Sequence, residues 1–175
     1  MNALDLPEAL YQKLRGHLLR DEREQVAFVF AHAEQNDDRL ALSGVEAYLV
    51  PTCGLDHQSA FHISLTDSVQ ARIIKSAWDR GCALVEFHSH PRSHHRVKFS
   101  ESDIHGLSEF VPHVRWRLRG QPYLAVVLGQ FGFDALLWRQ EWLEGLDVMT
   151  VGGEVHRPTG LTLKELRRNV GGTLP

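Results

Sequence analysis

The chain has 175 residues, 43% of them hydrophobic, with 19 Lys and Arg against 22 Asp and Glu for a formal charge of -3. That length supports one good core and is short for two, so residues 1–175 are read as a single domain. The basic residues are scattered without a stripe, which excludes an extended nucleic-acid surface, and no apolar run approaches the length of a membrane span.

In chain order, Met1 to Pro7 lacks the basic start and apolar core of a targeting segment, which makes the cytoplasm the expected compartment. Pro7 suits a first helical turn, and Leu10, Leu14, Leu18 and Leu19 recur at helical intervals, predicting a covering helix over 7–20. Asp21-Glu22-Arg23 breaks it. The Val- and Phe-rich run 25–33 then predicts a central strand with Glu24 at its mouth. Residues 34–38 read as the turn of an antiparallel hairpin whose second, half-exposed strand is 39–50. A loop with Gly54 and His57 leads to a short strand marked by Phe61, Ile63 and Leu65, and His57 and His62 read as surface or loop residues. Thr66-Asp67-Ser68 offers capping side chains before Val69, Ile73, Ile74 and Ala77, and Gly81 supplies the stop, so 67–80 is a predicted helix. Cys53 and Cys82 are far apart and lack Cys-x-x-Cys spacing, so neither a disulfide framework nor a cysteine zinc site is expected.

The segment from Cys82 to Asp103 is the most informative in the chain. Residues 82–90 alternate as a strand does, so His88 and His90 leave one face about 6.5 Å apart at the backbone. Pro91 cannot donate to a ladder and ends the strand there, which puts both rings at a rim. A catalytic zinc site needs three protein ligands and an open fourth position, and Asp103 is the natural third. It stands just inside a helix marked by Ile104, Leu107, Phe110 and Val111. Ser-x-x-Asp is also an ordinary helix start, in which Ser100 caps and Asp103 complements the dipole. A lone His-x-His on a strand is commonly structural as well; the two patterns in this order point to a metal. The neighbouring His94, His95, His105 and His113 read as solvated side chains rather than ligands.

Pro112 is expected to end or bend the helix that starts near 101, and 122–129 and 132–139 read as two strands joined by Gln130-Phe131. From Glu141 the pattern weakens, with Gly152-Gly153, a helix expected at 162–168, and Arg167 to Gly172 read as a frayed terminus.

His88-Ser89-His90-Pro91, a loop, and Ser100-Glu101-Ser102-Asp103 resemble the JAMM motif of the JAB/MPN metalloproteases, whose other required element is a glutamate on an upstream strand. Glu24 fits that position, in Glu24-Gln25-Val26-Ala27-Phe28, with Ala27 where glycine is usual. The resemblance covers roughly residues 8 to 140 and is specific from 88 to 103. It implies an α/β fold of the cytidine-deaminase-like kind, a mixed and largely antiparallel sheet flanked by helices. It also implies one catalytic Zn²⁺ held by His88, His90 and Asp103, with Glu24 as general base and Ser100 as donor to an oxyanion. Glu22 and Glu86 are rivals for the base, and Glu86 could otherwise orient a histidine or form a strand salt bridge. The short chain is similar to bacterial JAB proteins that accompany ubiquitin-like modifiers and their activating and conjugating enzymes. The implied function is a zinc-dependent peptidase or isopeptidase releasing ubiquitin-like proteins from precursors or conjugates. Its alternatives are a non-catalytic MPN-type scaffold that binds a partner protein, or a hydrolase acting on small peptides or sulfur-carrier conjugates.

Overall fold

In the computed structural model, which describes residues 1–36, 38–59, 63–140 and 142–171, the chain alternates strands and helices. It runs β1 (Asn2–Leu6), α1 (Glu8–Leu18), β2 (Val26–Asn36), β3 (Arg39–Leu49), a single 3-10 turn (Thr52–Gly54), β4 (Leu55–Gln58), β5 (Ile63–Leu65) and α2 (Asp67–Arg80). Then follow β6 (Ala83–Ser89), α3 (Glu101–Arg117), β7 (Tyr123–Leu128), β8 (Phe133–Arg139), β9 (Trp142–Gly145), β10 (Val148–Val151), β11 (Glu154–His156) and α4 (Leu161–Gly171). Nine strands form one sheet in the order β11-β10-β1-β3-β2-β6-β7-β8-β9, and β4 and β5 pair separately. Among the described residues the large sheet is parallel where β1 meets β10 and β3 and where β6 meets β7, and antiparallel elsewhere. The fold is therefore mixed α/β with a largely antiparallel sheet, as expected.

The middle of the sheet is covered on both faces, which is why the start of β2, β6 and β7 read as nearly unbroken apolar runs. Alternation along β6 sends Ala83, Val85 and Phe87 to the face packed by Leu14 and Leu18 of α1. Leu84 faces the opposite side, with Val69, Ile73 and Ala77 of α2 and Leu107, Val111 and Val114 of α3. Glu86 and His88 share Leu84's face, so the interior that α2 and α3 build ends in ionisable groups.

Local chemistry explains the helices that matter to this end of the sheet. Thr66 accepts the N–H of Val69, and Gly81 closes α2 at φ 63, a left-handed conformation that suits glycine. α3 opens with Ser100 and Asp103 in a reciprocal capping box. Pro112 does not end α3, which continues through it to Arg117. The expected helix at 162–168 is longer, spanning Leu161–Gly171.

Three parts of the chain form strands that the sequence did not indicate, one of them β4, within the expected loop that holds Gly54 and His57. Residues 2–6, considered only as a terminus, form β1 in the interior of the sheet, with Leu4 and Leu6 fully buried. The weakly patterned tail supplies β9, β10 and β11. Phe61, His62 and Gly172 lie outside the described residues. Among the described residues no helix is long and apolar enough to cross a membrane.

Candidate metal centre

The centre forms where β2 begins, β6 ends and α3 starts. Val26 of β2 stands opposite His88 of β6. One residue further out, Ser89 donates its N–H to the carbonyl of Gln25 at 3.0 Å and accepts Gln25's N–H on its hydroxyl at 2.9 Å. These two bonds hold Glu24 beside the strand end. Glu24's own N–H bonds to the carbonyl of Ser59 at 2.8 Å, and Gln58 donates its side-chain amide to the carbonyl of Glu24. On the other side, His90 donates its N–H to Leu128 at 2.8 Å and so extends the pairing of β6 with β7 past the last strand residue. The turn after β7 approaches the loop between β6 and α3 so closely that a Cβ on Gly129 would lie 2.5 Å from the carbonyl oxygen of Ser93.

His88, His90 and Asp103 converge, with one ligand atom from each within 4.8 Å of the others. Asp103 Oδ2 lies 3.5 Å from His88 Nε2 and 3.1 Å from His90 Nε2. Glu24 Oε1 is 3.5 Å from His90 Nε2. None of these approaches satisfies the rings by hydrogen bonding, since both Nε2 atoms are buried without a hydrogen-bond partner, as is Glu24 Oε2. Buried polar atoms are normally paired. Two imidazole nitrogens and a carboxylate turned toward one point fit a divalent ion with three protein ligands and an open position, the donor set expected for catalytic zinc.

The electrostatics agree with that fit. Burial works against a charge on His88, but the carboxylates of Asp103 and Glu86 outweigh it and push the ring up to about 10. Burial would raise Asp103, yet the two histidines and the N–H of Ser100 hold its carboxyl well below the usual carboxylate range. Glu24 is shifted upward by burial, against the pull of His88 and His90. The point between the rings and the carboxylates is thus one where positive charge is stabilised.

The structure separates the three candidate carboxylates. Glu22 is on the surface, 3.2 Å from Arg92, and does not reach the histidines. Glu86 lies behind His88, with Oε1 3.7 Å from Nδ1, while its Oε2 accepts the buried hydroxyl of Tyr123. That arrangement orients the ring from the side facing away from Asp103. Glu24 reaches the same side as Asp103.

Ser100 caps the helix: its hydroxyl accepts Asp103's N–H at 3.2 Å, and Asp103 Oδ2 accepts Ser100's N–H at 2.7 Å. The helix-start reading and the ligand reading of Asp103 therefore coexist, because the oxygen that closes the capping box also faces both rings. Ser100 Oγ is also 2.9 Å from Ser102 Oγ. The other histidines do not join the cluster: His94 and His95 are exposed and stack on Phe131, while the exposed His105, 3.8 Å from Glu109, and His113 line the groove that runs beside His88 and Asp103.

Sequence reasoning missed the tie made by Ser89 and the partnership of Tyr123 with Glu86. A serine between two histidines that share one face of a strand must point to the opposite face, and that is the available signal. A groove of about 610 Å³ opens on the His88 and Asp103 side, walled by Val26, Leu65, Leu107 and Phe110.

No family model and no curated protein matches the chain. Among solved structures it is similar to the solution structure of protein DSY2949 from Desulfitobacterium hafniense, a structural genomics target. The TM-score is 0.53 at 18% identity, covering 86% of this chain and 94% of that one, so the likeness concerns the fold alone.

Proposed function

We propose that this protein is a zinc-dependent peptidase or isopeptidase of the JAMM type, cleaving ubiquitin-like proteins from precursors or conjugates. The observation that carries the reading is the meeting of His88, His90 and Asp103 beside the buried carboxylate of Glu24. His88, His90 and Asp103 would hold the ion. When bound, zinc supplies a Lewis acid that polarises a carbonyl and makes water a nucleophile near neutral pH.

The chain's own residues supply the remaining chemistry. Glu24 accepts a proton from the attacking water and returns it to the departing amine, serving first as base and then as acid. Its burial supports this role, because an upward shift brings a carboxyl toward the range in which it can both take and release a proton. Ser100, at the helix start, can turn its hydroxyl toward the oxygen of an attacked carbonyl while its N–H stays with Asp103. Glu86 and Tyr123 fix the His88 ring from behind. The apolar groove beside His88 and Asp103 gives an extended substrate chain a place to lie.

Metal analysis of protein purified without chelator, together with cleavage of a ubiquitin-like fusion by wild type and Glu24→Ala, tests the reading. Stoichiometric zinc with cleavage lost only in the variant supports it. A wild-type protein without zinc would instead favour a partner-binding scaffold of the same fold.

A further inference from the structure

Asp134 is a fully buried carboxylate on β8 that plays no part in the chemistry above. It belongs to the same end of the sheet as the metal centre, since His88 is paired with Val127 and Val127 with Asp134. Its oxygens are taken up by the start of α4. Oδ1 accepts the N–H of Gly160 at 2.9 Å, and Oδ2 accepts the N–H of Thr162 at 2.9 Å and its hydroxyl at 2.7 Å. Thr162, only 3% exposed, has one hydroxyl proton, and Asp134 receives it. The lone pairs of that oxygen then face the metal loop, where Thr162 Oγ1 accepts the N–H of Phe99 at 3.0 Å.

Phe99 is the residue through which this tie reaches the centre. Its ring meets that of His88 edge-on, with centroids 5.3 Å apart and planes at 65°. Its backbone leads directly into Ser100, whose capping box sets the position of Asp103. Thr159 holds the same segment from the other side, donating its hydroxyl to the carbonyl of Val97 at 2.7 Å. Lys98, between these two points, pairs with Glu165 of α4 at 2.9 Å.

We infer that Asp134 and Thr162 are positioning residues for the metal loop, so that α4 is a working part of the centre and not a terminal appendage. The inference rests on the metal-binding reading of His88, His90 and Asp103. Asp134 orients the Thr162 hydroxyl, Thr162 fixes the amide of Phe99, and Phe99 sets both the ring of His88 and the start of α3.

The test compares wild type, Thr162→Val, which keeps the shape and removes the hydroxyl, and Thr162→Ser, which restores it. Zinc affinity is measured by competition with a chromogenic chelator, and amide exchange of residues 99–103 is measured on metal-free protein. The valine variant should bind zinc about ten-fold more weakly. Its Phe99 to Asp103 amides should exchange at least about ten-fold faster, and the serine variant should recover both. Unchanged zinc affinity in a folded valine variant overturns the inference, whether or not exchange is faster. Should wild type itself take up no zinc, the metal reading falls; the exchange rates then decide the tie, faster exchange upholding it and unchanged exchange overturning it.

Discussion

His88 with His90, and His94 with His95, are two pairs of the same side chain placed a few residues apart in opposite settings. The first pair ends a buried strand, with nitrogen atoms that lack hydrogen bonds and the carboxylates of Asp103 and Glu24 within 3.1 to 3.5 Å. The second is exposed and leans on Phe131, with ring centroids 5.9 and 5.3 Å from it. An imidazole becomes a ligand when its free nitrogen is held away from water and aimed at a place where negative charge has already been gathered. The second pair is open to solvent, and among the described residues no ion pair reaches it.

The strongest challenge to this contrast exchanges the roles of the two pairs. His88→Ala or Asp103→Ala should reduce bound zinc to background and abolish hydrolysis, whereas His94→Ala with His95→Ala should keep stoichiometric zinc and change stability by no more than about 0.5 kcal/mol. Zinc retained by His88→Ala in elemental analysis would mean that the buried pair is not the site. Next in size is Glu24→Ala, which should retain the metal yet lose about 10²- to 10⁴-fold in kcat. Comparable turnover in that variant, measured on a modifier fusion, would transfer the base to another group.

Ser100→Ala separates the cap that Ser100 forms from the oxyanion role proposed for its hydroxyl. Loss of the cap should cost about 1 kcal/mol in a denaturant titration. Loss of a donor to the oxyanion should lower kcat by about 10²-fold with KM little changed. A variant that loses stability and keeps kcat would leave Ser100 as a cap alone. The smallest expected effect concerns metal-free protein. Burial raises the Glu24 pKa, so the folded state prefers the carboxyl protonated, and the ionised form costs stability above that pKa. Glu24→Gln should therefore be more stable than wild type at neutral pH, and the gain should shrink as pH falls and the native carboxyl takes up its proton. A gain that grows toward acid would reverse the assigned cause.

The sequence was most legible where local signals and function coincide. The Thr66 cap, the apolar spacing of Val69, Ile73 and Ala77 and the stop at Gly81 are enough to define α2. The alternation ending at Pro91 defines β6 and puts both histidines on one face. β1 escaped because five residues carry too little periodicity, and its partners β3 and β10 lie far along the chain. The same distance hid Tyr123 behind Glu86 and Thr162 behind Phe99, since neither residue's own neighbours foretell the partner. Of the two outcomes that Pro112 allowed, an end and a bend, the end does not occur. The buried Val111 and Val114 on either side keep α3 packed against the sheet, and that packing outweighs the hydrogen bond the ring removes.

The placement of β1 bears on how the molecule is made. Synthesis delivers β1 long before its neighbour β10, so a nascent chain that has not yet reached Val148 carries an open edge on β1 whose backbone groups await a partner. Until β10 arrives, that unpaired edge is a template for wrong pairing between growing chains.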